Sequence, residues 1–458
     1  MASILRHRDT DMTEGNIARL LINFALPLLI GNIFQQLYNT VDSIVVGNYV
    51  SKQALAAVGC TGPIINALIG IFVGLSGGAG VVISQYYGAK DREKLHASVQ
   101  TTVALTLIMC VVLTVLGVLF TPYMLRLMDT PDDVFPEAVE YLRIYFMGVS
   151  GLLLYNIGSG ILRAVGDSTH PLYFLIFSAL TNTVLDVLFV KFFHMGIAGA
   201  AIATVIAQCI SALLVISMLI RSSADYRIDL RALQLRGSIL RKVCAIGIPS
   251  ALQLAVTAFS NIFVQSYINH FESSCMAGWA AYNKIDAFAL LPMLTLSVAA
   301  TTFVGQNVGA GNWERAKAGG WWAMIMATVS TLVILIPLML FARPLCALFN
   351  QDEAMLAYGA YFIRVISPFY LIGNFNQIYA GVLRGAGDAA RPTIIMLVSF
   401  VAFRQIYLFV TYRVFGTLLP VALGYPVGWV VCSILLFLYY RSGRWMKHSF
   451  LTASPEKA

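Results

Sequence analysis

Twelve apolar stretches, each about as long as a helical membrane crossing, recur along this chain between short clusters of charge and turn residues. A bilayer core about 30 Å thick takes about 20 apolar residues per helical span, so the stretches near 17–44, 54–82, 96–120, 138–161, 171–192, 197–220, 242–267, 277–303, 319–341, 358–382, 393–415 and 418–440 read as twelve crossings. Only 11% of the 458 residues are charged, against roughly a quarter in a soluble domain. A water-soluble globule is excluded, and the expected fold is an all-α membrane protein of twelve transmembrane helices.

The first crossing follows a polar, charged segment, residues 1–16, and reads as a span rather than a cleaved signal. Cytoplasmic loops retain Lys and Arg. With the N-terminus inside, the inner segments hold 21 of the 30 basic residues and the outer ones five. Both termini are therefore expected in the cytoplasm of a multi-pass cell-membrane protein. The net charge of +8 is spread between apolar runs rather than gathered on one aqueous face, so no nucleic-acid partner is expected. The seven cysteines include no CxxC pair and read as reduced packing residues.

The chain repeats itself at an offset of 221. Across Tyr155–Leu172 and Asn376–Thr393, seven of 18 positions are identical, among them Arg163/Arg384, Gly166/Gly387, Asp167/Asp388 and Pro171/Pro392. The same offset pairs Gln85/Gln306, Gly88/Gly309, Ala89/Ala310, Glu93/Glu314 and Ala97/Ala318. The expected organisation is two pseudo-symmetric six-helix lobes, 17–220 and 242–440, a basic cytoplasmic linker at 221–241 and a tail at 441–458. Six spans per unit keep both lobes in the same membrane orientation, an arrangement transporters use.

A charge at the bilayer centre costs about 2.5–3.5 kcal/mol on insertion scales. Two carboxylates bear this cost in apolar surroundings: Asp42 in the first span and Asp186 in the fifth. Gln35, Tyr38, Asn39 and Asp42 share a helix face, as do Asn182 and Asp186. Such acids suit an ion-coupled site, taking a proton or pairing with a cation such as a transient Na⁺; two acids acting together titrate as a pair. The competing reading is an acid near a helix end that snorkels to the interface. Lys284 and Asp286, two apart and so on different sides of the eighth span, serve either a substrate cavity or structural ion pairs. Arg404 in the eleventh span is expected to face an internal cavity rather than lipid. Pro27 reads equally as a hinge or a static kink.

No GxxxxGK[ST] loop links the chain to nucleotide hydrolysis, and no HExxH, GxSxG or His/Cys cluster supports an enzyme or a resident metal. No cofactor is expected, and the energy source is an ion gradient or a partner subunit.

Gln85-Tyr-Tyr-Gly-Ala-Lys90 with its echo Gln306-Asn-Val-Gly-Ala-Gly311, and the doubled Leu-Arg-x-x-Gly-Asp-x-x-x-Pro element, resemble the multidrug and toxic compound extrusion (MATE) transporters from about Ile17 to Tyr440. The resemblance implies export of amphipathic, often cationic compounds in exchange for H⁺ or Na⁺ by alternating access of the lobes. It also implies a cation site at Asp42, Asn182, Asp186 and Thr204, with Tyr141 and Asn156 lining the same cavity. The acids that one branch of the family carries in its seventh and tenth spans are missing here, which favours coupling through the first lobe. Gln35, Tyr38, Asn39, Lys284, Asp286 and Arg404 complete the expected substrate cavity. The expected partners are small amphipathic or cationic molecules and the bilayer, with the chain acting as a monomer. The rival functions are a flippase for lipids or lipid-linked oligosaccharides, which would want more Arg and Lys for diphosphate, and a polyprenyl-diphosphate enzyme, which would want clustered carboxylates.

Overall fold

The computed structural model describes residues 10–448, apart from the side chains at 39, 41–44, 48, 52, 55, 63, 66, 67 and 448. Within the membrane the backbone has no water to bond to, so each apolar stretch satisfies its own amides by coiling into a helix. In the first half these helices are α1 (Ile17–Tyr49), α2 (Lys52–Gly88), α3 (Arg92–Leu127), α4 (Phe135–Met147), α5 (Val149–Ala164), α6 (Thr169–Asp186) and α7 (Gly196–Arg221). In the second they are α8 (Gly237–Ile268), α9 (Ser273–Ala289), α10 (Leu291–Gly309), α11 (Trp313–Leu340), α12 (Ala342–Ala347), α13 (Glu353–Ile366), α14 (Tyr370–Gly385), α15 (Ala390–Leu397), α16 (Arg404–Phe415), α17 (Leu418–Ala422) and α18 (Gly424–Arg441). Among the described residues ten helical segments are long and apolar enough to cross a bilayer, and α4 with α5, bent by 47°, make an eleventh. The last expected crossing is covered by α17 and α18.

The chain divides into two compact units: residues 10–11 with Leu26–Cys244, and Met12–Ala25 with residues 245–448. In the first, α5 packs on α2, α3 and α7; in the second, α14 packs in the same way on α10, α11 and α18. The start of α1 therefore belongs with the second unit. Its anchor is Met12, wholly buried, whose amide donates to Gln306 Oε1 at 2.9 Å and whose carbonyl accepts from Asn307 Nδ2 at 3.1 Å. The basic linker lies against the first unit, where Gln100 Nε2 donates to the Arg227 carbonyl at 2.9 Å and Arg92 pairs with Asp225 at 3.2 Å.

The repeated motifs are the helix junctions of the fold. In each unit the Leu-Arg pair ends a helix and the following glycine turns left-handed, at φ +90° for Gly166 and +100° for Gly387. The next amide then reaches back, Asp167 N to Leu162 O at 2.9 Å and Asp388 N to Leu383 O at 3.0 Å, satisfying carbonyls the helix would leave open. A Cβ at Gly166 would stand 2.2 Å from the Thr10 carbonyl oxygen, so no other residue fits that turn without moving the backbone.

The Gly-Ala-Lys-Asp and Gly-Ala-Gly-Asn elements are likewise one turn used twice, capped by Asp91, which accepts from Lys94 N at 3.1 Å, and by Asn312, which accepts from Arg315 N at 3.2 Å. The hydrogen bond from the Lys94 ammonium holds the Asp91 carboxyl below the usual carboxylate range. Its contribution is complete at neutral pH and is lost only as acid protonates the group. The two copies differ at the left-handed position, where Gly311 sits at φ +75° and Lys90 at φ +55°. A side chain in that region costs about 1–2 kcal/mol. Lys90→Gly is therefore expected to stabilise the protein by up to about 1 kcal/mol, since glycine's greater freedom in the unfolded chain offsets part of the relief. A thiol-reactive dye reporting exposure of the buried Cys110 on heating would measure this, and an unchanged or lower transition temperature would contradict it.

Candidate functional site

The expected cation-site residues on α6 and α7 come together. Ser178, Asn182 and Asp186 follow one another at four-residue spacing along α6, and Thr204, Gln208 and Ser211 lie along one face of α7. Ser178 Oγ donates to the Ala207 carbonyl at 2.7 Å, and Asn182 Nδ2 to Thr204 Oγ1 at 3.4 Å. Asn182 is 3% exposed and Asp186 wholly buried. Directly after Asp186 the helix widens into a π-helical turn, Val187–Phe192. Such turns are rare and recur at functional sites. Asn39 and Asp42 lie on α1, but their side chains fall outside the described residues.

A polar chamber opens beside this row. Asn32, Gln35 and Tyr38 line it from α1, Tyr155, Asn156, Ser159 and Arg163 from α5, and Ser178, Gln208 and Ser211 from α6 and α7. Its volume is about 90 Å³, enough for several water molecules at about 10–15 Å³ each and well short of the roughly 300 Å³ of a pocket for a drug-sized ligand. In this conformation it admits ions, water or the end of a larger molecule. Of the expected cavity residues, Gln35, Tyr38 and Asn156 are on its wall. Tyr141 packs instead in the apolar core with Val46, Leu142 and Phe146. Arg163 contributes to the wall, although its place at a helix end reads in sequence as one more cytoplasmic-loop cation.

The second unit carries charges of a different kind. Asp286 accepts from Tyr282 Oη at 3.2 Å, and the Tyr370 hydroxyl donates to the same carboxylate oxygen. Both tyrosines sit in an aromatic cluster with Trp279, Phe362, Tyr425 and Trp429. Lys284 is exposed and lies over the Phe349 ring at 5.6 Å, making no ion pair with Asp286 among the described residues. Arg404 is 2% exposed, so it faces protein. Its Nη2 donates to Ser260 Oγ at 2.6 Å and Asn261 Oδ1 at 2.9 Å, and its guanidinium lies 4.8 Å from the Tyr425 ring centroid. It follows directly on a second π-helical turn, Val398–Phe403. Each unit thus interrupts a helix of its repeat beside a buried charge, acidic in one and basic in the other. No group of His, Cys, Asp and Glu that could hold a metal stands among the described residues.

Comparison with known proteins accounts for this architecture. The family model MatE matches residues 27–188 and again 249–409, at the offset of the internal repeat. The probable multidrug resistance protein YoeA of Bacillus subtilis (strain 168) is 30% identical over 94% of this chain and 94% of its own length. The probable multidrug resistance protein YpnP of the same organism is 29% identical over 96% of this chain and 99% of its own. A solved MATE structure in the bent conformation superposes with a TM-score of 0.90 at 24% identity, covering 98% of this chain and all of that one, a likeness of fold. This multi-pass membrane protein, with its doubled six-helix plan, belongs to the MATE family and is a transporter, not an enzyme.

Proposed function

We propose that this transporter is a secondary active exporter of amphipathic, often cationic compounds, driven by H⁺ or Na⁺ exchange across the cell membrane with both termini in the cytoplasm. The observation that carries the proposal is the full burial of Asp186 at the α-to-π junction, one turn from the Asn182–Thr204 hydrogen bond and within the polar row that continues into the chamber. Burial there keeps the carboxyl out of bulk water and beside neutral polar groups, a setting in which an acid can exchange a proton or a cation. Asp42, Asn182, Asp186 and Thr204 are assigned as the coupling group, with Gln35, Tyr38, Asn39 and Asn156 as the polar wall that substrate meets. In the cycle, an ion entering from outside neutralises the aspartates, weakens the hold on a cationic substrate and favours the conformation that resets the transporter inward. The relatives named for multidrug resistance support export of foreign compounds as the activity.

The test is ethidium efflux from vesicles carrying the purified protein, with a pH gradient or a Na⁺ gradient imposed separately. Export driven by either gradient supports the reading and names the ion. A folded protein that moves no ethidium under either gradient, yet scrambles a labelled lipid, would replace it with the flippase reading.

A further inference from the structure

The two copies of the repeat differ sharply at one pair of positions. Ser222 and Ser442 stand one residue beyond α7 and α18, and each hydroxyl accepts from the amide two residues on, Ala224 N at 3.1 Å and Arg444 N at 3.4 Å. This register matches Asp225 to Trp445, and the turns before α3 and α11 match Lys90 to Gly311 and Arg92 to Trp313. In the second unit Trp445 is 1% exposed, meets Trp313 edge-on with ring centroids 5.8 Å apart, and donates from its indole to the Tyr440 carbonyl at 3.0 Å. In the first unit the matching residues are the exposed ion pair of Arg92 Nε and Asp225 Oδ2 at 3.2 Å. A pair of charges stands where the other unit has a pair of rings. The space beside the charges is open, a cleft of about 430 Å³, within the roughly 300–1,000 Å³ of small-molecule sites. Its charged wall residues are Asp11, Lys90, Arg92 and Asp225. All four belong to the first unit, and none lines the polar chamber.

The charges on this wall define the ligand. Asp225 engages Arg92 through Nε, and the two amino groups of that guanidinium make no hydrogen bond among the described residues. Lys90 enters no ion pair among the described residues, whereas nearby cations do, Lys94 with Asp91 at 2.9 Å and Arg236 with Glu93 at 3.5 Å. Lys90 also holds a left-handed backbone at φ +55°, a cost that Gly311 does not bear at the same turn of the second unit. Backbone strain of this kind collects at ligand clamps. The wall therefore offers an anion one ammonium and the free side of one guanidinium, the two groups that recognise phosphate oxygens. Asp11 disfavours further negative charge and accepts hydrogen bonds, so the group beside the phosphate is one that carries hydroxyls. We propose that the cleft binds the phosphate of a polyol phosphate ester, with Lys90 and Arg92 on the phosphate oxygens, Asp225 positioning Arg92, and Asp11 accepting from a polyol hydroxyl. The headgroup of a glycerophospholipid and a soluble polyol phosphate share that chemistry.

The test is binding to the purified full-length protein in neutral detergent at fixed ionic strength, with no gradient, so that transport plays no part. Glycerol phosphate is titrated by calorimetry, and dioctanoyl phosphatidylglycerol is followed by native mass spectrometry, with dioctanoyl phosphatidylcholine, which lacks both the hydroxyls and the net charge, as control. The wild type is expected to bind at least one of the first two probes and to prefer it to the control. Tighter binding of glycerol phosphate names a soluble ester as the source, and tighter binding of phosphatidylglycerol names the headgroup. Lys90→Gly and Arg92→Gln are each expected to weaken that binding about tenfold or more, the scale of a charged hydrogen bond. Lys90→Gly is the variant expected to gain thermal stability, so its loss of affinity is not a loss of fold. Arg92→Trp combined with Asp225→Trp, which rebuilds the ring pair of the second unit, is expected to abolish binding by filling the cleft. A wild type that binds neither probe overturns the proposal, as does a control bound equally well or an affinity unchanged in Lys90→Gly. Where the double tryptophan variant does not fold, the Lys90→Gly result decides.

Discussion

Asp186→Asn is expected to cut gradient-driven ethidium export by about a hundredfold while leaving the protein folded. Asparagine keeps the size and most of the hydrogen-bonding capacity of the side chain, so the packing around this wholly buried position is preserved. What it removes is the alternation between a charged and a neutralised state. The electrostatic difference between those states at membrane depth is about 2.5–3.5 kcal/mol, and each 1.4 kcal/mol is tenfold in an equilibrium, which sets the size of the loss. A ligand can shift a conformational equilibrium only by its differential affinity for the two states. With an uncharged amide in place of the carboxylate, the coupling ion has less to bind in either state, and the gradient no longer biases the cycle. Asp42→Asn is expected to lose export similarly, and the double variant to lose little more, because two groups acting as one coupling site are not additive. The measurement is initial efflux rate at matched protein density, with gel filtration reporting the fold. Export above half the wild-type rate in both single variants would remove the first lobe as the coupling site.

Arg404→Ala is expected to destabilise the second unit by about 3 kcal/mol. The substitution deletes two hydrogen bonds from a charged donor, each worth roughly 1.5–3 kcal/mol, takes a partner from Ser260 and from Asn261, and removes the group lying over Tyr425. Ser260 is itself a hub: its hydroxyl donates to the Phe400 carbonyl inside the π-helical turn at 2.8 Å and accepts from Gln405 Nε2 at 2.8 Å. For a unit of about 200 residues, 3 kcal/mol corresponds to a fall of roughly 6–12 °C in the unfolding midpoint. Arg404→Met separates a structural role from transport. It fills most of the volume without a buried charge, and such exchanges are often nearly neutral for stability. If Arg404 serves as a pin for the π turn, Arg404→Met keeps its midpoint within a few degrees and still exports ethidium. A stable Arg404→Met protein without export would place the guanidinium in the transport path.

Much of the candidate site is readable from residue types alone because carboxylates are conspicuous among apolar neighbours. Asp186, with Asn182 one turn before it, is legible in this way, and the structure buries both. Asp286 is legible as an anomaly but not as a contact: Tyr282 lies one turn before it, whereas Tyr370 arrives from a helix 84 residues later in the chain. Lys284 is equally conspicuous and stays at the surface. Arg163 is the opposite case. Its position at a helix end is where cytoplasmic cations collect, so nothing in its neighbours distinguishes a loop charge from one turned into a chamber. The π turns at Val187–Phe192 and Val398–Phe403 also leave no mark in composition, since their residues are as apolar as those of the helices they interrupt.

The order of residues alone determined the crossings, the doubling and the presence of acids in oil, because lipid enforces one rule on every span and a repeated motif declares itself by identity. Tertiary structure decided which polar groups face one another. In a membrane helix the lipid-facing and protein-facing sides are both apolar, so helical periodicity no longer reports orientation. Only packing could turn Arg163 toward a cavity, tie Asp167 to His170 rather than to that arginine, and join Met12 to Gln306 and Asn307 across nearly 300 residues.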